Sequence, residues 1–500
     1  MLLPSNGTVN FYPSLSNTGL RQEHTSWMTF NTKSPLAADP EEGSLPTGAV
    51  TGTPGAQGEE LKPGGGQHHG DAKEGGTRTL ASCITTLIPP GGMVSTVFNL
   101  SSICIGAGIL GLPAAANSGG LIMAFIYPLI IVLVFVQSLY CIAAQVEKHS
   151  LKSYEGMARV LLGPRAAYAA GMLRVLNSFG ACVAFVISVA DILVAILQNS
   201  DAPDFLKSVT GNRLLTLGVW LCCMLPLVIP RQVDSLRYIS TVGIIFCFYL
   251  MGVIVVHSCT NGLPENIKKI HLSGGPSDDG IHLFGTGNKA IEAPAVFTFA
   301  FLCQVASIEV YSSMAQPSVT RFTLYSAYAM AMCFVLNVAT AFFGYLDFGS
   351  KVTGSVLPMY DPVSQPAIMI GYIGLVVKLC ASYAILMFAC RNGIYNVIGR
   401  DPDTTAFWEH CAVMVVLSVI ALVCGLFIPN INTVFGFVGA VCGGFLAFIF
   451  PALFMMYGGG FTLQKVGPLC YTATYALLIS GVVLSVFGTV ATIYGVATGN

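Results

Sequence analysis

Between Phe98 and Pro113 the chain reads Phe98-Asn99-Leu100-Ser101-Ser102-Ile103-Cys104-Ile105-Gly106-Ala107-Gly108-Ile109-Leu110-Gly111-Leu112-Pro113, and the chemistry of this stretch lies in its backbone. Pro113 has no N–H and its ring crowds the carbonyl of Ile109, while Gly106, Gly108 and Gly111 weaken the preceding turns of helix. A helix unwound here frees N–H groups that bind a carboxylate and carbonyls that bind an amine or a cation. Two blander readings fit the same residues. Gly106-x-Gly108-x-x-Gly111 has the glycine spacing of a dinucleotide-binding turn, which needs a strand before it, a helix after it and an acid about 20 residues on. Pro113 follows at once instead, and the next acid is Glu147. The glycines also suit close packing in a kinked helix.

Three ionisable side chains, Asp191, Glu309 and Lys378, lie well inside long apolar runs. At membrane depth each costs at least ~2.5–3.5 kcal/mol unless paired or hydrated, so coupling, gating or ion pairing is the default reading. Glu309 and Lys378 fall at similar depths on a rise of about 1.5 Å per residue, and are expected either to pair or to leave Glu309 facing a cationic group. Asp191 lies nearer a span end, where it suits a proton carrier, a gate or a structural hydrogen bond. Arg174, His257, Glu292 and Asp347 lie closer to span ends and are expected to snorkel to the interface.

The elements that must position these groups are membrane helices. The chain has 54% hydrophobic and 9% charged residues, against about 25% charged in a soluble domain. A net charge of −1 gives no basic face for nucleic acid. Most of the sixteen cysteines sit inside apolar runs, only Cys259 falls clearly in a loop, and no paired Cys or Cys/His spacing points to a disulfide framework or zinc site. No metal and no cofactor is expected, and no catalytic dyad argues for an enzyme. Apolar stretches long enough to span a bilayer recur near 93–117, 119–146, 168–198, 212–230, 236–257, 293–315, 322–346, 366–390, 408–427, 430–457 and 470–497. The fold class expected is an all-α polytopic membrane protein of about eleven helices.

Residues 1–85 are rich in Gly, Pro, Ser and Thr, and are expected to form a disordered cytosolic tail. They contain no secretory signal pattern. The sequons at Asn6 and Asn99 read as chance matches, one in that tail and one inside a span. Placing Lys148, Lys152, Arg159, Arg165, Arg231, Arg237, Arg321, Arg391, Arg400 and Lys465 inside follows the positive-inside rule. The N-terminus is then cytosolic and the C-terminus external. Residues 93–257 and 293–457 hold five spans each over about 165 residues, the arithmetic of an inverted repeat, with 470–497 appended and residues 86–500 forming one transmembrane domain.

The pattern from Phe98 to Pro113, followed by Ala114 and Ser118-Gly119, resembles the first helix of the amino acid/auxin permease family, especially its protozoan branch and its sodium-coupled neutral amino acid relatives. Ser153-Tyr154, Gly163, Gly180-Ala181-Cys182-Val183 and Val377-Lys378-Leu379 extend the resemblance, which covers residues 90 to 500. In the sixth span, Phe301-Leu302-Cys303-Gln304 and Val310-Tyr311-x-x-Met314 resemble that family's F-x-C-H and I-Y-x-E-M. The chain departs from the pattern at Gln304, in place of His, at Ser313, in place of Glu, and at Ser102, in place of an Asn that serves sodium.

The resemblance implies a five-plus-five, LeuT-like fold carrying an amino acid between helices one, three, six and eight by alternating access. Ser101, Ser102, Gly106, Ala107, Gly108 and Ile109 are then expected to bind substrate, with Phe299, Cys303, Gln304 and Ser307 on the facing half and Ser382 from helix eight. Asp191, Glu309 and Lys378 are assigned to coupling or gating, with protons and not sodium as the coupling ion. The remaining partners are the amino acid and the lipid bilayer. Plasma membrane is the default location, with an endomembrane or lysosome-like one as alternative. An uncoupled facilitator and a membrane sensor with vestigial transport remain open as alternatives. Helix six has no Gly or Pro between 295 and 315, so its unwinding is implied by the resemblance alone.

Overall fold

The computed structural model describes residues 91–230, 234–400 and 405–498 apart from 277 and 279, with 234–242 described as backbone only. The expected tail over 1–85, the Asn6 sequon and the side chains of Arg231 and Arg237 lie outside the described residues. Among the described residues, ten spans and one sharply bent pair are long and apolar enough to cross a membrane. The bent pair, Met93–Cys104 and Gly108–Gly119, is the first span. Spans two to six are Met123–His149, Pro164–Gln198, Val209–Val228, Gly243–Lys269 and Asn288–Ser312. Spans seven to eleven are Val319–Lys351, Pro366–Ile398, Phe407–Phe427, Ile431–Tyr457 and Leu463–Thr498. The chain is thus an all-α polytopic protein, and the strands among the described residues are two short ones in one loop.

Alternate connections fall on opposite faces. One, called here the basic face, carries Lys148, Lys152, Arg159, Arg165, Arg321, Arg400 and Lys465 and a short helix, Tyr154–Leu162. The helix begins at Ser153, whose hydroxyl accepts the Gly156 N–H, and ends at Gly163. On the other, the loop face, strands Ile270–Gly274 and Ile281–Gly285 lie side by side. Leu121 N–H donates to His282 O at 2.8 Å, and His282 N–H donates to Tyr345 Oη at 2.9 Å, so this loop ties span two to span seven.

Lipid tails are as apolar as leucine, so helix association here rests on close packing and not on transfer from water. Small residues supply it. A β-carbon on Gly439 of span ten would strike the Ala295 carbonyl oxygen of span six, and one on Gly443 would lie 2.6 Å from Thr298 Cγ2. Gly344 of span seven sits against the Pro113 ring in the same way, at 2.6 Å from its Cγ. Spans seven and ten therefore press directly on the two helices that break.

Candidate functional site

The first span stops at Cys104 and restarts at Gly108, and its halves are bent by 61°. Ile105 leaves helical geometry at φ −80°, ψ 92°, as the glycines and Pro113 require. The sixth span also breaks, between Phe301 and Gln304, with Leu302 at φ −68°, ψ 109° and Cys303 at φ −137°, ψ −1°. No glycine or proline causes this second break. Side chains hold it open instead. Gln304 Oε1 accepts the Cys303 N–H at 3.1 Å, and Cys104 Sγ donates to the Phe301 carbonyl at 3.3 Å, so the end of one broken helix caps the end of the other. The breaks lie five spans apart, as an inverted repeat places them.

Two helix N-termini, at Gly108 and Gln304, and two C-termini, at Cys104 and Phe301, thus meet inside the bundle. The first N–H groups and last carbonyls of such segments have no intrahelical partner. Positive helix ends favour a carboxylate and negative ends favour an amine or cation. The arrangement can hold a zwitterion with its two charged groups on opposite helix ends.

The expected substrate residues divide on inspection. Gly106 is half-buried, and a β-carbon there would meet only the Phe185 ring of span three, at 3.7 Å. It borders open room. Gly108 does not: its β-carbon would lie 2.9 Å from Ala300 Cα, so this glycine serves contact between spans one and six. Ala107 and Ile109 are buried beside it. Ser101 is fully buried, donates to Val97 O at 2.8 Å and faces Ala329 of span seven, which turns it away from the break. Ser102, its neighbour, is half-buried.

On the facing half, Phe299 is half-buried and stacks on Phe435 of span ten with ring centroids 4.7 Å apart. Cys303 and Gln304 are buried at the break, and the Gln304 amide nitrogen has no partner among the described residues. Ser307 donates to Gln304 O at 2.5 Å, so its hydroxyl closes the first turn of the second half. Ser382 is half-buried on span eight. Sequence reasoning missed Phe185 and Phe435. Phe185 follows Gly180-Ala181-Cys182-Val183 closely enough to have been found from that run, whereas Phe435 carries no such signal.

The ionisable groups pair differently from the expectation. Glu309 does not meet Lys378. Arg174 Nη2 lies 3.5 Å from Glu309 Oε1, and Arg174 Nη1 lies 3.0 Å from Glu155 Oε1. Similar depth placed Glu309 and Lys378 together on paper, but the two side chains leave their helices toward different neighbours. Lys378 is 1% exposed, lies along Gly243 of span five and approaches Cys247 and Cys333. Its ammonium nitrogen has no hydrogen-bond partner among the described residues. Cys333 also contacts Cys104, so Lys378 stands one thiol away from the first break.

Arg174 is therefore an ion-pair centre with 15% side-chain exposure, and not a snorkelling residue. His257 and Asp347 likewise bond each other, at 2.7 Å, with the Asp347 side chain 1% exposed. Glu292 reaches the Thr492 hydroxyl of span eleven. Asp191 is half-buried on span three, close to Ser355 of the loop before span eight and to Tyr372. No salt bridge reaches it among the described residues.

Residues 89–494 match the family model described as "Transmembrane amino acid transporter protein". The "Sodium-coupled neutral amino acid transporter 7" of Xenopus laevis is 27% identical over 420 residues, 80% of this chain and 87% of that protein. The "Putative sodium-coupled neutral amino acid transporter 8" of Xenopus tropicalis is 26% identical over 76% of this chain and 85% of that protein. Among solved structures, MhsT in complex with L-phenylalanine superposes with a TM-score of 0.50 at 13% identity, covering 80% of this chain and 97% of that one, a likeness of fold. Joined halves, paired breaks and family match lead to one conclusion: the chain belongs to the transmembrane amino acid transporter family, and it is a transporter of amino acids and not an enzyme.

Proposed function

We propose that this protein is a secondary active transporter that carries amino acids by alternating access in symport with protons, without sodium. The observation that carries the coupling reading is Lys378, an ammonium buried to 1% exposure beside the first break with no hydrogen-bond partner among the described residues. It stands one helical turn from Ser382, hence on the same face. While Lys378 holds its proton, a cation held by carbonyls of the first break, Ser102 and Ser382 meets like-charge repulsion from it, little screened away from water. Asp191, close to the Ser355 side chain and in no salt bridge among the described residues, is left as the group suited to carry a proton. Glu309 is the weaker carrier, because its carboxylate is engaged by Arg174. Residues Gly106, Ser102, Phe299, Gln304 and Ser382 line the substrate side of this reading.

The relatives named above are described as sodium-coupled, which makes sodium replacement the direct test. Uptake of a labelled amino acid panel in a transport-null host is expected to stay within about twofold when choline replaces sodium, since less than about 0.4 kcal/mol of driving interaction is then at stake. Strict loss of uptake in choline overturns the sodium-independent reading.

The basic face is assigned to the cytosol of a plasma-membrane protein on the Lys and Arg bias of its connections. An epitope before Met1 is expected to resist external protease in intact cells, while one after Asn500 is cleaved. Cleavage of both, or protection of both, contradicts the odd number of spans.

A further inference from the structure

We infer that Arg159 and Arg165, with the apolar side chains beside them, hold the headgroup of an anionic phospholipid in the leaflet on the basic face. Several basic side chains of that face are already engaged. Lys148 donates to Gly458 O and Gly459 O at 2.7 and 2.6 Å, Arg321 donates to Gln316, and Arg400 lies 3.7 Å from Glu409. Arg159 and Arg165 are exposed and belong to no ion pair among the described residues. A single exposed arginine carries no ligand by that fact, but these two flank one turn.

The chain presents them together. The Tyr154–Leu162 helix ends where Gly163 takes φ 94°, its N–H donating to Arg159 O at 3.2 Å, and span three starts at once at Pro164. Arg159 thus stands in the last turn of one helix and Arg165 in the first turn of the next. A β-carbon on Gly163 would meet no atom within 4 Å, so the space beside the turn is open. The acid on the short helix, Glu155, is held inward by Arg174 at 3.0 Å, and neighbouring Tyr154 donates to Leu446 O of span ten at 2.7 Å. Two guanidiniums with their forks free and no carboxylate to share suit a phosphate.

The apolar neighbours decide which phosphate. Val160, Tyr168 and Met172 are each exposed over more than half their surface. Arg165, Tyr168 and Met172 follow one another at helical spacing on one face of span three, which runs from headgroup depth into hydrocarbon. A soluble acidic segment could reach the guanidiniums but would leave that apolar stripe unused. A phospholipid fills both, with its phosphate at the turn and an acyl chain along Tyr168 and Met172, and a tyrosine at this depth suits the boundary. Anionic lipids gather in the cytosolic leaflet, the side to which this face is assigned above. A headgroup bound here sits on the outer side of the helix that carries Glu155 and Tyr154, and so braces the contacts of spans three and ten from the lipid side.

The test uses the purified full chain in detergent micelles doped equally with dioleoylphosphatidylserine and dioleoylphosphatidylcholine, the retained lipid being counted by native mass spectrometry. Phosphatidylserine is expected to be retained in preference. Its apparent affinity is expected to fall about fivefold in Arg159→Gln or Arg165→Gln and about twenty-fivefold in the double variant. Both side chains are exposed, so the variants are expected to melt with the unmodified protein. Inorganic phosphate or a glutamate-rich peptide at the same concentration is expected to leave the lipid in place. Equal retention of the two lipids, unchanged retention of phosphatidylserine in the double variant, or its full displacement by phosphate or the peptide would each overturn the inference. Lipid retention requires no flux, so its outcome is separate from that of the transport reading.

Discussion

Gly106→Val is expected to lower amino acid uptake by about a hundredfold, which is the loss of roughly 2.7 kcal/mol of substrate interaction, while the protein reaches the membrane in normal amounts. The position allows this separation of effects. Gly106 does not sit in the left-handed region, and a β-carbon there finds only the Phe185 ring at 3.7 Å, an ordinary contact. Valine therefore fits the fold, but its methyls fill the space before the N-terminus at Gly108, where a carboxylate is expected to rest. Gly108→Val is expected to act differently. Its β-carbon lies 2.9 Å from Ala300 Cα and 3.1 Å from Ala300 Cβ, so spans one and six must part, at about 1–3 kcal/mol or more in stability. Uptake normalised to membrane-inserted protein distinguishes the two. Normal kinetics in Gly106→Val would move the substrate site elsewhere.

The second large effect is expected at Asp191. Asp191→Asn keeps the size of the side chain beside Ser355, so the loop over spans three and eight is expected to stay in place. What it removes is the exchangeable proton. Near Asp191 the Tyr372 hydroxyl is already committed to Leu357 O at 2.6 Å, and no guanidinium or ammonium pairs with the carboxylate among the described residues. The expected outcome is a flat dependence of uptake on external pH and loss of concentrative uptake by about tenfold or more, with counter-flow exchange retained. Equal loss of exchange and uptake would mark Asp191 as structural. Glu309→Gln is expected to keep the wild-type pH profile, because the Glu309 carboxylate is engaged in an ion pair with Arg174.

The architecture was legible in the chain because membrane helices announce themselves residue by residue. Each span needs an uninterrupted apolar run, and the break in the first is written in Gly106, Gly108 and Pro113. The break in the sixth is written nowhere in local composition. It depends on Gln304 turning back to the Cys303 N–H and on Cys104 reaching Phe301 O from another helix, contacts that exist only after folding. The charges show the same limit. Depth along a helix can be read by counting residues, but the direction in which a side chain leaves the bundle cannot. Glu309 and Lys378 share a depth yet point apart, and Arg174, assigned to the interface, holds two carboxylates. Ser101 and Ser102 differ for the same reason, one turned toward span seven and the other half-buried at the break.

One measurement bears most directly on proton-driven amino acid transport: accumulation of labelled amino acid by the purified protein in sodium-free, potassium-loaded liposomes with an acid exterior. The expected result is uptake that overshoots equilibrium, decays as the pH gradient collapses, and is abolished by a protonophore. Overshoot that requires a sodium gradient, with none under a pH gradient alone, contradicts the account; simple equilibration under both gradients would replace it with an uncoupled facilitator.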